Sequence, residues 1–136
     1  MKRTEIREVT FSILYTREVQ KDLNEEELDF LLEQNNVQNK ADQKDVKKNL
    51  FGVQEHIKEI DDLISENLKE KWTIERISKI NLSILRLAIY ELLYTEVPFK
   101  VVVNEAVELA KKYGEDNSKI FVNGVLASVI KNKNIN

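Results

Sequence analysis

The sequence predicts an all-α protein, and three observations carry that prediction. Glycine occurs three times and proline once in 136 residues, too few turn-formers for a many-stranded β fold. Apolar residues recur at a spacing of three and four rather than two along most of the chain. The stretch 82–94, LSILRLAIYELLY, is apolar nearly all round its helical wheel, with only Ser83, Arg86 and Glu91 interrupting. Such a helix belongs inside a core or a membrane. Its apolar runs are far shorter than the roughly 18–20 residues of a membrane span, so it reads as a central core helix. Arg86 and Glu91 lie five apart and point in different directions, so each should find a partner on a neighbouring helix or reach the surface.

A chain of this length is expected to form one domain, residues 1–136, with about two-thirds of its unfolded surface buried. No signal peptide is visible in MKRTEIREVT, so a cytoplasmic protein is expected. The net charge is −3, unevenly spread: Lys2, Arg3 and Arg7 crowd the start, and Glu25, Glu26, Glu27 and Asp29 follow as an acidic patch.

The first helix is predicted over 3–20, with Ile6, Val9, Ile13 and Leu14 as its core face. Arg3, Arg7 and Phe11 follow along one flank, with Tyr15 one step round. Basic residues beside aromatics suit an RNA surface, where cations meet phosphates and rings stack on unpaired bases. The same residues also read as a solvated helix start with two aromatics packed on a neighbour. Asn24 with Glu27 three later resembles a capping box, opening a short helix on Leu28, Leu31 and Leu32. Residues 34–41 read as a polar connection. A long third helix is predicted from about Asp42 to Leu68. Val46, Leu50, Val53, Ile57, Ile60, Ile64 and Leu68 form its near-heptad seam. His56 sits at the edge of that seam, where no motif surrounds it, and packs there.

Thr73 is a candidate cap for a short turn at 74–79 that leads into the central helix. Pro98 breaks the chain after it. An amphipathic helix over about 99–113 turns Val102, Val103, Ala106, Val107, Leu109, Ala110 and Tyr113 one way and Asn104, Glu105, Glu108, Lys111 and Lys112 the other, and Gly114 suits its end. The last helix, about 117–130, buries Phe121, Val122, Val125 and Val129. Asn123-Gly124 in its middle is locally a turn signal, which the continuing apolar period overrides. A glycine kept inside a helix, at a cost of about 1 kcal/mol, suggests the close approach of a helix or ligand.

One histidine and no cysteine leave almost no scope for zinc sites, Cys/His catalysis or paired Glu-x-x-His di-iron sites. There is no glycine-rich phosphate loop and no nucleophile elbow. The chain therefore reads as a binding protein rather than an enzyme, with no cofactor and no metal.

Three blocks, ILRLAIYEL, VP-x-K-VVVNEAVELAK and FVNGVL, fall in order within residues 84–126. With R-x-x-x-F-x-x-LY over Arg7–Tyr15 and a weaker match over Phe51–Asp61, the chain closely resembles the NusB family of bacterial transcription antitermination factors. The resemblance implies about seven helices in two packed small bundles and no catalytic activity. It implies binding of the boxA element of nascent ribosomal RNA together with the small-subunit ribosomal protein NusE, within the elongating RNA polymerase complex, and no membrane. Monomers and homodimers both occur in the family. Its RNA surface maps here to Lys2, Arg3 and Arg7 and to Lys119, Phe121 and Asn123. Glu5 interrupts the first cluster, and Ile120 stands where a lysine is common. Both reduce positive charge, so the partner protein is expected to supply part of the affinity. Two alternatives are a helical RNA-binding module like that of certain ribosomal RNA methyltransferases, disfavoured by a chain ending at Asn136, and a protein-only adaptor.

Overall fold

The computed structural model describes residues 1–21 and 23–136. Seven α-helices and one 3-10 turn account for its regular structure, with no strand among the described residues. They are α1 (Arg3–Val19), α2 (Glu25–Gln34), α3 (Lys40–Glu55), α4 (Ile57–Glu66), α5 (Lys79–Tyr94), α6 (Phe99–Tyr113) and α7 (Ser118–Asn132), with the 3-10 turn at Ile74–Arg76. Helix α1 packs on α2 and α3, and α5, α6 and α7 pack on one another with α4 against α5 and α7; α5 bridges the two groups through α1 and α3. All the helices contribute to one apolar core.

The α5 sequence explains that placement. From Leu82 to Glu91 every residue except Arg86 is buried, and Leu85 and Ile89 are 0% exposed. A helix apolar on all sides can satisfy its whole surface only when ringed by other helices. Ser78 starts it, its hydroxyl accepting from the Asn81 N–H at 3.1 Å. The two charged residues within 82–94 find partners on other helices. Arg86 meets Asp61 of α4 at 2.9 Å and Glu18 of α1 at 2.5 Å. Glu91 meets Arg7 of α1.

The predicted single helix from Asp42 to Leu68 is two helices. The chain leaves helical geometry at His56 (φ −107°, ψ 18°), although hydrogen bonds run across the joint from His56 N–H to Gly52 and from Ile60 N–H to His56. The bend lets both halves of the apolar seam reach α5. Val46, Leu50 and Val53 are buried from α3, and Ile60, Leu63 and Ile64 from α4. The His56 ring stacks on Tyr94 of α5, centroids 3.9 Å apart. Gly52 lies against the Tyr90 ring, which a Cβ there would overlap, so α3 and α5 meet at that point without a side chain between them.

Other differences are local. Asn39 caps α3 through the N–H groups of Ala41 and Asp42, starting it two residues before Asp42. The connection before it is polar except for Val37, which is 1% exposed. Asn36 (φ 61°) takes the left-handed position, and the Val37 N–H returns to the Leu32 carbonyl, so α2 closes in a Schellman motif whose apolar residue is Val37. Thr73 precedes the 3-10 turn but makes no side-chain cap. Gly114 ends α6 in extended rather than left-handed backbone. Its glycine is required by space: a Cβ would collide with Ser118 at the start of α7. Gly124 is the reverse case. It faces outward, and a Cβ there would meet nothing within 4 Å, so no helix approaches it.

Candidate nucleic-acid interface

The residues singled out for RNA lie at the starts of α1 and α7. Lys2 and Arg3 are exposed at the first of these. Glu5, which dilutes their charge, accepts a hydrogen bond from the Lys2 N–H at 2.9 Å and so caps the helix that carries them. Arg3 borders a groove with Lys48, Asn49 and Tyr94.

Arg7, expected as a phosphate contact, is instead committed to the interior. Its guanidinium donates in parallel to both Glu91 carboxylate oxygens at 2.7 Å, and its side chain is only 9% exposed. Glu105 of α6 stands 3.7 Å away and accepts from the Thr4 hydroxyl at 2.9 Å. The hydrogen bonds to Glu91 dominate and hold the guanidinium proton more tightly than usual, against the opposing effect of burial. A bidentate, buried pair leaves Arg7 few donors for a ligand. Glu105, read from the sequence as solvated, is thus half-buried in the same network. Phe11 on the same flank is 3% exposed and packs on Tyr113 of α6, centroids 5.2 Å apart. Of the two readings left open for this flank, aromatic packing describes Phe11, whereas Arg7, neither solvated nor free for a phosphate, fits neither.

On α7, Lys119 and Asn123 are exposed and Phe121 is partly buried. Asn123 borders an apolar groove between α6 and α7 with Phe99, Val103, Val107 and Ala127. Phe121 points elsewhere, its ring tilted against Trp72 at 6.2 Å. Two residues apart on a helix lie about 200° apart, so these two present to different surfaces. The two clusters are also separated: nine helical steps of α6, about 14 Å, run from Glu105 beside Thr4 to Gly114 before α7. The surface between carries Tyr113 and Lys112, whose ammonium sits 5.3 Å from the Tyr113 ring centre and pairs with Glu8.

Sequence reasoning missed the Thr4–Glu105–Arg7–Glu91 network, because no local spacing links residues this far apart. It also missed that Trp72 meets Phe121, although the interleaved KEKWTIER at 69–76 is a visible signal. Among the described residues no group of three or more His, Asp or Glu side chains could hold a metal. No helix among them is long and apolar enough to cross a membrane.

Comparison with known proteins matches this arrangement. The sequence profile of the NusB family covers residues 4–131. The chain is 42% identical over 134 residues to the transcription antitermination protein NusB of Acetivibrio thermocellus, covering 98% of this chain and 91% of the relative. It is 44% identical over 135 residues to that of Macrococcus caseolyticus, covering 98% and 99%. Its fold superposes on T. maritima NusB with a TM-score of 0.85 at 37% identity, covering 96% of this chain and 92% of the other. A chain of the antitermination factors NusB and NusE in complex with dsRNA superposes equally well, at TM-score 0.85 and 30% identity over 96% of each chain.

Proposed function

The chain belongs to the NusB family, and on that premise we propose that it is a transcription antitermination factor without catalytic activity. It binds the boxA element of nascent ribosomal RNA together with the ribosomal protein NusE, in the cytoplasm, and joins the elongating RNA polymerase. Residues 1–136 act as one RNA-binding domain. The carrying observation is the full-length likeness to a NusB chain solved with NusE and dsRNA. Lys2, Arg3 and Lys119 are exposed cations suited to phosphates, and Phe121 and Asn123 offer a ring and an amide for bases. Arg7 acts indirectly: by tying α1 to α5 and α6 it fixes where Lys2 and Arg3 stand.

A mobility shift at fixed salt, with a boxA oligonucleotide and a scrambled one of equal length, tests the reading. Preferential retardation of boxA in the presence of the ribosomal protein is expected. Equal retardation of both would reduce the protein to a non-specific polyanion binder.

A further inference from the structure

Trp72 is the only tryptophan of the chain, and the structure leaves it 49% exposed. An indole is the largest apolar side chain available, and leaving half of it in water forgoes burial that the core would reward. Three features bear on it. Two of these are in contact with the ring: the Arg76 guanidinium lies 5.4 Å from its centre and the Phe121 ring is tilted against it at 6.2 Å. The third, Ile120 next to Phe121 on α7, is 71% exposed about 100° further round that helix. The preceding residue, Lys71, is held at φ 77°, a left-handed conformation that costs a non-glycine residue about 1 kcal/mol. The turn is closed by the Trp72 N–H donating to the Lys69 carbonyl at 3.0 Å. Backbone strain that aims a large ring outward is the pattern of a binding site rather than of packing.

We propose that Trp72, Arg76 and Phe121 form a stacking platform for unpaired RNA bases, extending the interface from the start of α7 onto the segment that joins α4 to α5. The proposal rests on the functional reading above and adds a contact that neither helix start supplies. Every base has a π-face, so rings bind single strands with little regard to sequence, and an arginine over a ring adds cation–π attraction. Charge favours nucleic acid over a protein partner. Arg76, Lys71 and Lys119 have no ion-pair partner among the described residues, and the 69–76 segment carries three cations against two carboxylates. The apolar surface itself consists of the two rings of Trp72 and Phe121, suited to one or two bases.

Because the tryptophan is unique, its fluorescence reports on this platform without mutation. Titration of the intact protein, with the ribosomal partner present, by a short single-stranded boxA RNA is expected to quench Trp72 emission as the complex forms. Trp72→Leu is expected to weaken RNA binding about tenfold, while Trp72→Phe retains most of the affinity. Thermal melts of both variants should match the parent, since the ring is half in solvent. RNA retarded normally, with Trp72 emission unchanged and Trp72→Leu binding like the parent, overturns the platform and leaves the functional reading standing. Emission that responds to the ribosomal protein alone, and not to added RNA, assigns the patch to a protein contact and overturns it as well. Failure of any RNA to bind in the mobility shift brings down the functional reading, and the platform with it.

Discussion

Arg7 shows how one residue's environment changes its chemistry. From its position beside Lys2 and Arg3 it belongs to a basic cluster, yet its donors are spent on Glu91 and Glu105 inside the fold. Removing one partner of a buried pair leaves the other charge unpaired, so Arg7→Ala should cost about 3–5 kcal/mol in denaturant unfolding. The double change Arg7→Met with Glu91→Leu should recover most of that loss. Lys2→Ala and Arg3→Ala should behave differently. Each is expected to leave the melting curve unchanged, weaken binding to all RNA sequences alike, and flatten the salt dependence by about one unit. On α7, Asn123 is exposed and Phe121 partly buried against Trp72. Asn123→Ala should reduce boxA affinity at unchanged stability, whereas Phe121→Ala should lower both. Melts that place the two variants together, with RNA binding intact, would move the RNA surface off α7.

At the scale of elements, α7 and the α1–α4–α5 junction make separate predictions. Gly124 sits mid-helix with open space where its side chain would be, so nothing within the protein explains it. Gly124→Ala should therefore raise stability by about 1 kcal/mol. A simultaneous fall in RNA affinity would show that the bare backbone serves the ligand. The second junction is held by Arg86 between Asp61 and Glu18. The hydrogen bond from Arg86 lowers the Glu18 pKa below the ordinary carboxylate value, more than partial burial raises it. In the acid range the unfolded chain then binds a proton that the folded protein does not, so stability rises with pH there. The contribution is fully present above the ordinary carboxylate range and is lost as pH falls through the lower folded value. Glu18→Gln should be less stable than the parent near neutrality, and their denaturation midpoints should converge in acid.

The whole molecule carries a net charge of −3, and one of its three N-terminal cations is buried in an ion pair. Few phosphates can be neutralised by such a surface, and the counterion-release contribution to affinity is correspondingly small. The isolated protein should therefore bind boxA weakly, with the ribosomal protein raising affinity substantially. Mobility shifts at one salt concentration, with and without that partner, measure the difference. Equal affinities would mean that this chain carries the recognition alone.

The helical class, the limits of α6 at Pro98 and Gly114, and the centrality of residues 82–94 are legible in the sequence because they depend on local periodicity and on backbone chemistry. The two isolated charges within residues 82–94 also declare that partners must exist, since burial without one is too costly. Which partners they are is a property of the packed helices: Arg7 and Glu91 lie 84 residues apart, and Arg86 reaches 68 residues back to Glu18. The same holds for the bend at His56. The apolar seam runs through it unbroken, and only the need for both halves to reach α5 divides the helix. Trp72 and Phe121 are 49 positions apart by their numbering and form one surface only after α4 and α7 have packed. Periodicity assigns each residue to a face of its own helix, whereas tertiary packing decides what that face meets.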